Sequence, residues 1–210
     1  MRALVSIAIA IALLPGCADP FLVRADDMSA AQHRAAARRE EEAAARAEQL
    51  AHATSTPAST SDQTGWYDPA DDHRREASQR REHARQHASA AVFLERLEDR
   101  ACVPVPREQR AACPLLGPLV RLDDIPGGVR AVFADPTRAR RAIAEMRCQY
   151  AYARTRHFEA PDACPLSVEG IEVRQGVDPS WVEIVSRDEQ ATRVVRDRTR
   201  AQAVYARARR

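Results

Sequence analysis

The first seventeen residues constrain the chain most, because they predict where it folds without belonging to the fold. Arg2 precedes an apolar run over residues 3–14, and Pro-Gly-Cys follows the run, with Cys17 last. A short positive start, an apolar segment of about 7 to 15 residues and small residues behind it are typical of a secretory signal. The run is too short for a membrane-spanning helix, which needs about 20 apolar residues. Residues 1–16 are therefore predicted to be a signal peptide.

The end of this segment, Leu14-Pro15-Gly16-Cys17, resembles the lipobox of bacterial lipoproteins. In that family the cysteine becomes the lipid-modified first residue of the mature protein. The resemblance therefore implies that Cys17 is a lipid-attachment site that carries acyl chains such as palmitate. Pro15 departs from the family pattern, in which Ala, Ser or Thr is usual at this place. The resemblance is confined to this segment.

The residue after the cysteine bears on the destination of the protein. Ala18 stands where Asp would be the inner-membrane retention signal in the lipoprotein family. The resemblance thus implies a protein held by its lipid in the outer membrane and facing the periplasm. An ordinary secretory peptidase could instead cut after Ala18 and release a chain that begins at Asp19. Both schemes place the mature chain in the bacterial cell envelope.

The cysteines left after Cys17 predict disulfides. The chain has five cysteines, so Cys102, Cys113, Cys148 and Cys164 make an even set of four. Export into an oxidising compartment favours disulfides over free thiols. Nearest-neighbour pairing would join Cys102 to Cys113 and Cys148 to Cys164 and close two short loops. Four cysteines allow three pairings, and the sequence leaves the other two open.

The charge pattern argues against nucleic acid as a partner. All 32 basic residues are Arg, no Lys or Asn occurs, and 30 acidic residues nearly balance the arginines. Such a bias is typical of a GC-rich genome, and a nucleic-acid-binding protein would instead concentrate its basic residues on one face. The C-terminal Arg207, Arg209 and Arg210 are interpreted as a solvated helix end.

Composition divides the mature chain into helical, flexible and compact parts. A segment rich in Ala, Arg and Glu opens with a capping box of Ser29 and Gln32, which predicts a polar helix. Because it lacks a Leu or Ile stripe, it is predicted to be a spacer beside the anchor and not a coiled coil. The predicted boundaries are 17–28 for the lipid-anchored N-terminus, 29–53 for the spacer helix, 54–66 for a flexible linker, 67–101 for a long helix and 102–210 for a disulfide-stapled domain.

The long helix and the domain together give the predicted fold class, α+β. Asp68-Pro69 caps the long helix, which is polar except for a patch at residues 92–97, so the helix should dock by its last turns. Strand patterns at residues 119–124, 129–133, 166–173 with a bulge at Gly170, and 181–185 alternate with two helical patterns. The order predicts a two-layer ββαββα domain with both helices packed on a four-stranded antiparallel or mixed sheet.

Two places could hold a metal ion. His83 and His87 are four residues apart on the long helix, so both side chains would face the same way. Two ligands do not close a zinc site, and a solvated polar face is the alternative. His157 could join Cys148 and Cys164 only if these thiols stayed reduced. We therefore expect no cofactor, and a periplasmic metal-binding or metal-sensing module remains an alternative.

No catalytic motif is found. The chain lacks a G-x-S-x-G elbow, a phosphate-binding Gly loop and a C-x-x-C pair, and Asp123 and Asp124 are interpreted as turn residues. Trp66 and Tyr67 could contact a partner or a sugar, or could form a hydrophobic staple before the Asp68 cap. The sequence predicts a lipid-anchored, non-catalytic binding or structural module whose partner is an envelope protein or a cell-wall component. An enzyme whose site forms only in three dimensions is the second alternative.

Overall fold

The computed structural model describes residues 23–54, 69–113, 119–159 and 163–208, with side chains as far as residue 203. Its elements in chain order are α1 (Ala30–Thr54), α2 (Pro69–Ala101), β1 (Leu119–Ile125), β2 (Gly128–Phe133), α3 (Pro136–Thr155), β3 (Ile171–Gln175), β4 (Trp181–Ser186) and α4 (Glu189–Ala208). Single 3-10 turns lie at Ala25–Asp27 and Arg107–Gln109. Within these described ranges, no helix combines the length and the apolar character needed to span a membrane.

The four strands form one antiparallel sheet in the order β1-β2-β4-β3. Gly127, with a φ of 74°, makes the tight turn between β1 and β2. Gly128 has no room for a Cβ, because the carbonyl oxygen of Ile184 lies 1.9 Å from the position of that atom. Asp135 caps α3 by accepting hydrogen bonds from the amides of Thr137 and Arg138. The predicted α+β class and the predicted ββαββα order are confirmed.

The third strand is shorter than predicted. Leu166 and Val168 do not belong to it, because the chain turns through residues 165–170 before β3 begins at Ile171. Gly170 has a φ of 73° and ends this turn, so it is not a bulge inside a strand. The predicted change of parity at Gly170 therefore marks the start of β3.

Both helices of the domain cover the same face of the sheet. The strand residues that alternate toward α3 and α4 form one apolar core with the inner sides of these helices. Its buried members are Val129, Ala131, Phe133, Ala139, Ile143, Met146, Cys164, Leu166, Ile171, Val173, Val182, Ile184 and Val195. The opposite face of the sheet has no helix on it among the described elements.

The helices α1 and α2 pack against each other as an antiparallel hairpin. The predicted capping box starts α1, because Gln32 N donates to Ser29 Oγ and Ser29 N donates to Gln32 Oε1. The interpretation of α1 as a polar spacer does not include this packing, in which α1 buries one side along the length of α2. Alanines spaced by seven residues lie along this contact, at positions 30, 37, 44 and 51 of α1 and 70, 77, 84 and 91 of α2, and all of them are buried except Ala37, which is partly exposed.

We call these eight residues the alanine seam. A repeat of seven residues keeps one side of each helix facing its partner, and small side chains let the two backbones approach closely. The seven-residue spacing of these alanines is present in the sequence, but Ala alone does not predict a helix contact, because a single methyl group buries little apolar area. Its contribution comes from the number of close contacts along two long helices.

The hairpin is joined to the domain at the end of α2. A disulfide links Cys102, which follows α2, to Cys148 in the middle of α3, and Thr155 Oγ1 donates a hydrogen bond to the Leu94 carbonyl at 3.1 Å. Arg156 Nη1 donates to Glu98 Oε2 at 2.8 Å beside it. The predicted docking of the last turns of α2 is thus made by Leu94 and Glu98.

The nearest-neighbour disulfide pairing is wrong. The bonds are Cys102–Cys148 and Cys113–Cys164, which span 46 and 51 residues. The pairing follows from the docking of α2 on α3, because this contact brings Cys102 to Cys148 and carries the segment after α2 along the domain to Cys164. Loops of this length stabilise the folded state by about 4 kcal/mol each in the chain-entropy model.

The alanine seam makes a direct prediction. Ala84→Leu places a large side chain at a buried position of α2 and should lower the free energy of unfolding in urea by about 1–3 kcal/mol, because the helices cannot separate without losing contacts. The matched control is Ala45→Leu on the exposed side of α1, which should change this free energy by less than about 0.5 kcal/mol. Equal losses in the two variants would contradict a close-packed seam.

Candidate binding surface

The uncovered face of the sheet carries a row of four charged residues, one from each strand. Strand pairing sets Asp123 opposite Arg130, Arg130 opposite Glu183, and Glu183 opposite Arg174. Because the side chains alternate along each strand, all four point away from α3 and α4. We call this set the charge row, and its signs alternate from one edge of the sheet to the other.

Glu183 is the centre of the charge row. Arg130 donates from Nε and Nη2 to Glu183 Oε1 at 3.0 and 2.8 Å, and Arg174 donates from Nε to Glu183 Oε2 at 3.0 Å. The residue is 6% exposed although it lies on the open face, because the two guanidinium groups cover it. Burial alone would raise the pKa of this carboxyl, but the hydrogen bonds from both arginines outweigh it and hold the pKa below its ordinary value.

Trp181 stands next to the charge row on β4. The guanidinium carbon of Arg130 lies 4.3 Å from the centre of the indole ring, within the range of a cation–π contact. Gly176 lies beneath Trp181, where an added Cβ would come within 2.7 Å of the tryptophan Cβ. The ring is therefore held in place by a cation above it and a glycine beside it, and it remains partly exposed.

Apolar residues complete this face. Val132 on β2 pairs with Trp181, and Val185 on β4 pairs with Gly128, so small apolar patches flank the charge row on both sides. We call the charge row, Trp181, Val132 and Val185 together the open sheet face. Partly exposed Trp and well-ordered Arg side chains on a rigid scaffold are the residue types that dominate binding energy at protein interfaces.

A cleft between the hairpin and the domain holds a cluster of titratable groups. It measures about 680 Å³ and lies between the start of α1, the end of α2 and the end of α3. Arg34 is bonded to Glu95, and both oxygens of Glu98 are bonded by arginines, Oε1 by Arg110 at 3.1 Å and Oε2 by Arg156. This arrangement is an ion-pair network that joins two parts of the fold.

His87, one member of the histidine pair of the sequence, has a partner on α1. His87 faces α1, where its Nδ1 lies 3.0 Å from Nδ1 of His33, a residue that is 0% exposed. His33 Nε2 lies 3.2 Å from the Ala25 carbonyl, which can only accept, so this nitrogen carries the hydrogen. With the hydrogen of His33 on Nε2, its Nδ1 accepts and the Nδ1 of His87 donates. Sequence reasoning missed His33 because the pairing depends on the register of two helices.

The contacts of His87 favour its neutral form. Burial lowers its pKa first, and electrostatic repulsion from His33, His83 and Arg39 lowers it further, while Glu40 opposes them. Two protonated imidazoles could not share the contact between the Nδ1 atoms, because neither would have a lone pair to accept the hydrogen bond.

No metal centre is assembled by the candidate residues. Within residues 23–54, 69–113, 119–159 and 163–208, no group of three or more His, Cys, Asp or Glu side chains is arranged to hold a metal ion. Cys148 and Cys164 belong to two different disulfides, so neither thiol is available beside His157. His157 and Phe158 instead end α3 with positive φ values of 51° and 57°.

Other candidate residues fall elsewhere. Asp123 belongs to β1 and bonds Arg121, and Asp124 pairs with Arg200 of α4, so neither is only a turn residue. Five residues named by the sequence analysis lie outside the described residues: Cys17, Trp66, Tyr67, Arg209 and Arg210. Arg207 lies in α4, but its side chain is not described.

Comparison of the chain with protein-family models, with curated proteins and with solved structures gives no significant match. The open sheet face therefore has to be interpreted from its own geometry. Its residues could have been found in the sequence, because Arg130 and Val132 alternate with the core residues of β2, and Trp181 and Glu183 share one parity on β4.

The His33–His87 contact predicts a pH dependence of stability. The folded state lowers the pKa of His87 below its ordinary value of 6.5. The contribution of neutral His87 to the free energy of unfolding is therefore complete above pH 6.5, and it is lost as the pH falls below that value and through the lower pKa of the folded state. His87→Gln should therefore lose less unfolding free energy between pH 7 and pH 5 than the unmodified chain does, measured by urea unfolding. His52→Gln, at an exposed position of α1, should keep the original dependence. The same pH profile in all three proteins would contradict the assignment.

Proposed function

We propose that the chain is a lipid-anchored protein of the bacterial envelope with no catalytic role, which binds another protein through the open sheet face. The anchor is Cys17, on the lipobox resemblance of residues 14–17, and its compartment is the periplasmic side of the outer membrane. A cell-wall component remains a second class of partner for the same face. The observation that carries the proposal is the uncovered sheet face, with its preorganised Arg130, Glu183 and Trp181.

The chemistry of this face supports binding in preference to catalysis. Catalysis needs a nucleophile or an acid–base group that is free to react in a water-excluding cleft. Glu183 instead has both oxygens bonded by arginines, and the surface around it carries a rigid aromatic ring and two valines. Preorganised side chains lose little conformational entropy on binding, which favours recognition of a folded partner.

The alternating signs of the charge row specify the partner. A complementary surface must present a cation opposite Asp123 and anions opposite Arg130 and Arg174, since these two arginines cover Glu183, and mismatched registers are penalised by like charges. Turned end for end, the row has the opposite sign at every position, so a second copy of this chain meets the requirement as well. The mass of the captured partner distinguishes self-association from binding to a different protein.

Photocrosslinking in intact envelopes tests this proposal. A photoreactive amino acid at Val132 should yield a discrete crosslinked product, and the same probe at the exposed Arg38 of α1 should not. Trp181→Ala should reduce the product from Val132 by at least about 10-fold, because central Trp residues at interfaces contribute 2 kcal/mol or more to binding. Val177→Ala, at a residue that is 98% exposed on the turn before β4, is the matched control and should leave the product unchanged.

Two results would contradict the proposal. The first is the same product from the probes at Val132 and Arg38, which would indicate contact without a defined surface. The second is a product from Val132 that survives Trp181→Ala in a variant whose thermal unfolding shows that it is folded. A crosslinked species of twice the chain mass would identify the partner as a second copy.

A further inference from the structure

Two apolar residues of α2 remain exposed in the fold. Val92 is 39% exposed and Phe93 is 45% exposed, whereas Leu94 beside them is fully buried. The sequence assigned all three to the docking of α2, but that docking uses only Leu94. Val92 and Phe93 line a shallow groove of about 620 Å³ together with Ser89, Arg96 and Arg100. We call these five residues the α2 patch.

The α2 patch faces away from the rest of the molecule. At 100° per residue, Phe93 and Arg100 lie roughly opposite Ala84 and Ala91, which belong to the alanine seam. The groove is therefore on the outer side of the hairpin, where α1 cannot cover it. Arg154 of α3 approaches the aromatic ring, with its guanidinium carbon 5.8 Å from the centre of Phe93.

The chain leading from Cys17 reaches the hairpin beside this patch. Val23 N donates to Gln86 Oε1 at 3.5 Å, about two helical turns before Phe93. Asp26 then binds Arg154, the residue that lies over Phe93, with hydrogen bonds of 2.6 and 2.8 Å. Six residue steps separate Cys17 from Val23, and a fully extended chain of that length spans about 20 Å. A membrane that held Cys17 would lie within that distance of Val23.

The charges of the α2 patch match those of a phospholipid surface. Arg96 and Arg100 form no ion pair with the described residues, so both guanidinium groups are available for phosphate oxygens. Asp99 also lines the groove, but its carboxylate is paired with Arg110, and the nearby Glu95 is paired with Arg34. Apolar side chains flanked by arginines are typical of surfaces that lie at the membrane interface.

We infer that the α2 patch rests on the anionic phospholipid surface of the membrane that holds the anchor. Val92 and Phe93 enter the headgroup layer, and Arg96 and Arg100 bind lipid phosphates. Two apolar side chains bind a membrane too weakly to recruit a protein by themselves, since even one acyl chain gives only marginal binding. The patch therefore orients a protein that is already tethered. The inference rests on the proposed anchor at Cys17.

Vesicles that carry the protein on a chemical tether test this inference. Because four of the five cysteines are in disulfides, Cys17 of a chain that begins there can be coupled to a maleimide lipid. A tryptophan introduced by Phe93→Trp reports contact through quenching by lipids with bromine-labelled acyl chains. Val177→Trp provides the matched control, because Val177 is 98% exposed on the turn between β3 and β4.

In vesicles that contain phosphatidylglycerol, the fluorescence of the tryptophan introduced by Phe93→Trp should be quenched at least about two-fold more than that of the tryptophan introduced by Val177→Trp. Combining Phe93→Trp with Arg96→Glu and Arg100→Glu should remove this difference. Equal quenching at the two positions, or quenching unchanged by the charge reversals, would overturn the inference. Because the tether is chemical, this failure would leave the proposed anchor untouched, and a chain without acyl groups in cells would contradict the anchor alone.

Discussion

The contact between the end of α2 and the middle of α3 determines how the other parts of the molecule are arranged. The Cys102–Cys148 disulfide makes this contact covalent, and the Leu94 carbonyl and Glu98 extend it through Thr155 and Arg156. Because α3 also forms one side of the sheet core, the hairpin and the domain share a single element. A break at this contact would leave two bodies joined by a short segment and by the Cys113–Cys164 bond alone.

The hairpin achieves its stability without a conventional apolar stripe. Eight alanines at intervals of seven residues bring α1 and α2 together, and charged or imidazole side chains fill the positions between them, as in Glu40 with Arg80 and His33 with His87. Polar pairs between alanine layers fix the register, because a shift of either helix would bury unpaired groups. The same packing directs Phe93 outward, since the seam already occupies the opposite side of α2.

Local signals in the sequence were sufficient to predict the elements of the domain. Capping residues such as Asp135 marked helix starts, and the alternation of Val129, Ala131 and Phe133 with polar neighbours marked a strand. The disulfide pairing was not predictable, because it depends on where α2 docks, and the His33–His87 contact depends on the register of two helices. The open sheet face was predictable in part. Strand parity identifies its residues from the sequence, but only the strand order β1-β2-β4-β3 aligns them in a row.

The proposed protein consists of a membrane tether, a hairpin and a domain joined by disulfides, and the open sheet face. The central claim is that Cys17 is the tether. Intact-mass spectrometry of the protein extracted from the membranes of its native type of host tests this claim most directly. The account predicts a chain that begins at Cys17 with a diacylglyceryl group and an acyl group, and four further cysteines that react with an alkylating reagent only after reduction. An unmodified chain that begins at Asp19 and is found in the soluble fraction would contradict it.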